Sequence, residues 1–315
     1  MINRRYLRTK VMQAIYAFEV NNKRDFATAE KNLNNSIQEF YKLFFFLFSV
    51  LPEMKHYREL KLESLKEKFN PTEADLNPNT KFVDNAIFAQ IEQSALLNQF
   101  FKTHKINWGD NLDVIQGIYQ EIAHSEFFEV YMSKPERSYD EDKKFVLQII
   151  ENIFANSEIL HDFLQEQYVH WFDDYNDALL MLYRNIESFK EKQGGNIKVS
   201  ALWKDEVEDK EFYKTLFKKT MFNSTQYQEI IERNLKNWEV DRLIGLDIIL
   251  LKMAMCEILE FPNIPLKVTI NEYLELAKNY SSTKSSYFIN GMLDAIILEF
   301  KNEDKIKKTG RGLIN

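Results

Sequence analysis

Eight glycines and six prolines in 315 residues leave few places for a helix to break. Apolar residues recur three and four apart through most of the chain, and no stretch shows the alternation of a half-buried strand. The pattern therefore predicts an all-α fold. Turn-forming residues fall at Asn70-Pro71 through Pro78, at Asn107-Trp108-Gly109-Asp110, at Ser133-Lys134-Pro135, at Gln193-Gly194-Gly195-Asn196, and from Phe261-Pro262 to Pro265. They divide the chain into about nine helices. Pro52 lies inside a longer helical pattern and is expected to end or kink it. No repeat of solenoid type occurs.

The most apolar run, FYKLFFFLFSVL from Phe40 to Leu51, is too short to cross a bilayer and contains Lys42, so it reads as a buried helix. The basic start MINRRYLRTK lacks the apolar segment and cleavage site of a signal peptide, which points to a cytoplasmic protein with no membrane association. The single cysteine, Cys256, sits in MAMCEIL and reads as a small core residue. A net charge of -7 opposes nucleic acid if evenly spread, so any such role must rest on local clusters. Two exist: Arg4, Arg5, Arg8 and Lys10 precede the first acidic residue, Glu19, and Lys301, Lys305, Lys307, Lys308 and Arg311 crowd the other end.

At 100° per residue, Leu7, Val11, Ala14, Ile15 and Phe18 gather on one face of the first helix and form its expected buried stripe. Arg5, Arg8, Met12 and Tyr16 share a neighbouring flank. Two guanidiniums followed by an aromatic suit single-stranded RNA, since arginine grips phosphate and tyrosine offers a stacking face.

Enzyme chemistry finds less support. Glu-x-x-His occurs at Glu53 to His56, Glu121 to His124 and Glu158 to His161, a spacing that di-iron helical bundles use. These pairs lie beside polar neighbours or off the apolar stripe Ile149, Ile153, Leu160, Leu164, so they read as exposed helix pairs with no metal. Apolar surroundings would raise the Cys256 thiol pKa, which argues against a nucleophile, and no Gly-rich phosphate loop occurs. The expectation is a binding protein with no catalytic residues and no cofactor.

The C-terminal segment fits three helices. Arg242 to Leu259 is apolar nearly all round and should be central; the next buries Ile270, Leu274 and Ala277, and the last buries Ile289, Met292, Leu293 and Ile296. Between the last two, Ser281 to Ser286 offers hydroxyls that can end one helix and cap the next.

The run IPLKVTINEYLELAKNYSSTKSSYFINGMLDAI resembles the C-terminal signature of the NusB family of transcription antitermination factors, P-x-x-V-x-I-N-E-A-x-E-L-A-K followed by a polar loop and F-V-N-G-V-L-D. NRRYLRTKVMQAIYAFE resembles the same family's R-R-x-A-R-x-x-x-x-Q-A-L-Y helix. The resemblance implies a NusB-like helical bundle without catalysis, which binds boxA-type ribosomal RNA leader sequence together with the ribosomal protein NusE in the transcription elongation complex. Carried over by position, its RNA surface comprises Arg4, Arg5, Arg8 and Tyr16 on the first helix, with Phe288 and Asn290 after the loop. Lys284 stands in that loop where an acidic residue is common and should add phosphate contact, and Tyr273 replaces a small residue. The implied organisation is a NusB-like domain from 1–24 plus 206–300, an inserted helical region at 25–205, and a disordered basic tail at 301–315. A helical scaffold without RNA binding and a di-iron enzyme are the alternatives. A ribosomal RNA methyltransferase would need a further cofactor domain, which the sequence to Asn315 does not supply.

Overall fold

The computed structural model describes residues 1–21, 25–167, 169–235 and 245–313, and only the backbone of 169, 170, 172 and 283. Arg242, proposed above to begin the central helix, lies outside these residues, as does the side chain of Phe172. All regular structure among the described residues is helical. The chain forms two compact units, one from residues 1–37 and 203–315, the other from 38–202. The first boundary falls at 37/38, inside a helix, rather than at 24/25, and the second at 202/203 rather than 205/206.

In chain order the helices are α1 (Arg4–Val20) and α2 (Phe26–Lys66), then α3 (Glu73–Leu76), α4 (Ala86–Glu92), α5 (Ala95–Thr103), α6 (Leu112–Ala123), α7 (Glu126–Ser133), α8 (Tyr139–Gln148), α9 (Glu158–Gln167) and α10 (Val169–Ser188). A π-helical segment, Ile149–Phe154, follows α8. The last five are α11 (Glu206–Phe222), α12 (Ser224–Asn234), α13 (Gly245–Glu260), α14 (Leu266–Tyr280) and α15 (Thr283–Asn302). No helix among the described residues is long and apolar enough to cross a membrane.

α2 continues through Pro52 without a break. The proline forfeits one helical hydrogen bond, but Val50, Leu51 and Met54 around it are fully buried, and that packing holds the helix. In the unit of residues 38–202, Phe44, Phe45, Phe46 and Phe48 are all buried. Phe46 meets Trp108 at 4.7 Å and Trp171 at 5.2 Å between ring centroids. The Trp108 indole donates to the Ser49 hydroxyl at 2.9 Å, which satisfies the one polar atom such a ring brings inside.

In the other unit α13 is central: it packs against α1, α11, α12, α14 and α15, and Ile249 through Ile258 are buried without interruption. On α14 the buried strip is Thr269, Tyr273, Leu276 and Ala277 rather than Ile270, Leu274 and Ala277. The helix is turned by about one residue, about 100°, because Thr269 and Tyr273 both reach inward to a carboxylate on α13. Ser282 caps α15 by accepting from the Ser285 amide at 3.0 Å, as the serine-rich loop suggests.

The segment expected to be a disordered tail is docked as far as Leu313. Lys308 Nζ donates to the Phe261 carbonyl at 3.0 Å, and the Thr309 amide donates to that of Pro262 at 3.0 Å. Gly312 is buried against the same turn; a Cβ there would sit 1.9 Å from the Pro262 oxygen, so only glycine fits. The tail is held by hydrogen bonds from main chain and the Lys308 ammonium and by the close approach at Gly312, which a reading by charge overlooks.

Gly312→Ala is expected to release the tail, read as faster proteolysis after Lys305 to Lys308 with the rest of the chain unchanged. Burial holds the Lys308 ammonium down at about 8, against the opposing pull of Glu257. Between that value and the ordinary 10.5 the unfolded chain binds the extra proton, so this group's contribution to stability rises with pH across that window. The denaturation midpoint of the wild type should gain more between about pH 7.5 and 10 than that of Lys308→Met.

Candidate nucleic-acid interface

Glu257 is a carboxylate in the middle of the apolar α13 run and is fully buried. Such a charge must find a cation and hydrogen bonds inside the protein. Arg8 of α1 supplies them: Nε donates to Oε2 at 2.7 Å and NH2 to Oε1 at 2.8 Å, a two-pronged pair. Thr269 donates to Glu257 Oε1 at 2.9 Å and the Tyr273 hydroxyl to Oε2 at 3.3 Å, while Arg8 also reaches Glu272 of α14 at 3.4 Å. Burial would lower the Arg8 pKa, but the Glu257 charge and hydrogen bonds outweigh it and the guanidinium is held above its usual value. Burial, reinforced by Glu257, pushes the Tyr273 hydroxyl well up.

This network changes the role of Arg8. Read from the sequence as a phosphate contact, it is 3% exposed and its donors face two carboxylates. The physical cause is the partner: the helical wheel places Arg8 beside the buried stripe, and Glu257 draws it under. Met12 follows it inside, which widens the buried face of α1, while Ala14 and Phe18 are only partly covered.

The other candidates remain at the surface. Arg4 pairs with Glu208 at 3.3 Å. Arg5 makes a two-pronged pair with Glu272 at 2.9 and 3.0 Å, whose hydrogen bond holds its pKa up. Both arginine pairs are solvent-accessible on at least one side, and exposed bridges of this kind contribute about 0–1 kcal/mol. Tyr16 is half exposed. On α15, Lys284 is exposed and makes no ion pair among the described residues; Phe288 is half-buried, and Asn290 lies 3.5 Å from Asp294. Arg5 and Arg8 tie α1 to α14 through Glu272, and α14 carries α15 along its length.

Charge is not evenly divided along the chain. The unit of residues 1–37 and 203–315 carries 24 Lys and Arg against 21 Asp and Glu, a net of +3, whereas residues 38–202 carry 17 against 27, a net of -10. The acidic balance of the whole protein thus belongs to one unit, and the candidate RNA-binding residues all belong to the other.

Residues 175–298 match the model of the NusB family. This chain carries a NusB-family domain. It is 42% identical over 105 residues to the transcription antitermination protein NusB of Salinibacter ruber, 33% of this chain and 66% of that protein. It is 36% identical over 110 residues to that of Chloroherpeton thalassium, 35% of this chain and 52% of that one. Against that of Natranaerobius thermophilus it is 42% identical over 86 residues, 27% of this chain and 62% of the relative. The chain therefore spans between about half and two thirds of each of these NusB relatives. No solved structure matches it.

Among the described residues, no three His, Cys, Asp or Glu side chains converge as a metal site would require. His124 instead bonds the Gln120 carbonyl at 2.7 Å and His161 packs edge-on to Tyr175. Cys256 is buried, and that burial pushes its thiol up to about 12. What sequence reasoning missed was Glu257, although a lone acid in MAMCEIL is itself a signal that a buried cation lies opposite.

Arg8→Ala should cost about 3–5 kcal/mol of stability by leaving Glu257 buried without a partner. Arg8→Met with Glu257→Leu should recover most of that loss in urea unfolding. Equal stability of wild type and Arg8→Ala would refute the strut role.

Proposed function

We propose that this chain is a transcription antitermination factor that binds boxA-type single-stranded RNA of ribosomal leader transcripts together with the ribosomal protein NusE, and so supports processive transcription by the elongation complex. The observation that carries this reading is that the NusB-family match falls largely in the unit with a net positive charge, and that this unit presents Lys284, exposed and without an ion pair among the described residues, beside Phe288 and Asn290. RNA needs cations that can reach phosphate and π-faces that can reach bases. Arg4, Arg5 and Lys284 supply the first; Tyr16 and the partly exposed Phe288 supply the second, and Asn290 offers an amide to a base edge. Arg8 acts beneath them by fixing α1 to α13.

Arriving phosphate would take Arg4 and Arg5 from Glu208 and Glu272, an exchange that weak exposed bridges permit. No step of this function requires a reaction centre, which agrees with the absence of a nucleophile or phosphate loop in the sequence.

Fluorescence anisotropy with a boxA-like RNA, alone and with NusE, tests the proposal. Wild type should bind, more tightly with NusE, and Lys284→Ala or Arg5→Ala should each weaken binding several-fold and flatten the dependence of log K on log salt by about 0.7. Absence of binding under both conditions would refute it.

A further inference from the structure

The aromatic residue most open to solvent on α15 is not Phe288 but its neighbour Tyr287, which is 73% exposed. At 100° per residue the buried positions Ser285, Ser286, Ile289, Met292, Leu293 and Ile296 centre roughly 160° away from it, so Tyr287 points directly out. Phe288 falls on the border between the two faces and is half covered. The Tyr287 ring and hydroxyl meet no ring, hydrogen-bond or ionic partner among the described residues, so its aromatic surface contributes nothing to the core that the exposed strip of a helix would not forgo.

One neighbour makes this ring more than an isolated exposed aromatic. Lys284 lies one turn earlier on the same strip, about 60° around, within the reach that residues three apart share on a helix. It too is without an ion pair among the described residues, unlike Arg4, Arg5 and Arg8. The result is a cation and an exposed aromatic ring side by side, the arrangement that holds a phosphate and a base of one strand together.

We propose that Tyr287 is the principal stacking platform for an unpaired base of single-stranded RNA, with Lys284 on the neighbouring phosphate and Phe288 supporting from the flank. The inference rests on the antitermination reading and adds to it a residue outside the family motif. Tyrosine at this position gives the chain its own contact at the start of α15.

The test uses the full chain and a boxA-like RNA carrying 5-iodouridine, with anisotropy for affinity and ultraviolet crosslinking read by mass spectrometry. Tyr287→Ala should lower affinity by about fivefold or more while leaving the salt slope unchanged, because stacking releases no counterions. Tyr287→Phe should restore the affinity, and Leu298→Ala, exposed further along α15, should bind as wild type does. The crosslink should map to Tyr287. Unchanged affinity of Tyr287→Ala in a wild type that binds would overturn this inference and leave the antitermination reading standing. Loss of the wild type's own binding, with and without NusE, would overturn both.

Discussion

The pairing of Arg8 with Glu257 joins the first helix of the chain to a helix almost 250 residues later, and α1, α13 and α14 of the unit of residues 1–37 and 203–315 meet at it. A carboxylate inside α13 is costly to desolvate, and the cost is offset only when every oxygen lone pair has a donor. Arg8, Thr269 and Tyr273 provide those donors from α1 and α14. The same demand fixes the rotation of both helices: α1 must turn Arg8 inward, and α14 must turn Thr269 and Tyr273 inward. The two helices that carry or support the candidate RNA contacts are therefore set in angle by a single buried charge.

Segregation of charge removes the objection that a net of -7 raises to the proposed nucleic-acid role. A whole-molecule count averages over two units of opposite sign, and what a strand meets within a Debye length is the local balance. The acidic unit gains solubility from its charge and carries an aromatic core around α2, so it needs nothing from RNA to be stable. Its composition alone would place the chain among proteins that avoid nucleic acid.

Much of this was legible in the sequence, and the failures have particular causes. Scarce glycine and proline forecast a helical chain, though of about nine helices where the described residues form fifteen, and the serine-rich loop forecast the cap of α15, because both depend on local backbone preference. Pro52 does not end its helix, one of the two outcomes expected of it, because burial of its neighbours outweighs one lost hydrogen bond. Arg8 and the register of α14 misled for a common reason: a helical wheel sorts residues by their own polarity and cannot see that a charge on a distant helix will draw a polar side chain inside. Tyr287 was passed over because the family motif directs attention one residue further, to Phe288. A wheel drawn for α15 from its own apolar positions would have placed Tyr287 outermost.

The cations of the NusB-family unit consequently fall into three kinds, and the distinction follows from burial. Arg8 is committed: replacing Glu257 by phosphate would strand a carboxylate in the core, a penalty that no surface ligand repays. Arg4 and Arg5 are exchangeable, since their carboxylates return to water when phosphate takes their place. Lys284 has no ion pair among the described residues, so no such exchange with them is needed. On the proposed RNA-binding reading, a strand would therefore meet its least hindered cation at the start of α15 and recruit the α1 arginines only as their bridges open. The sequence motif lists these residues as equivalents, but the energetics rank them.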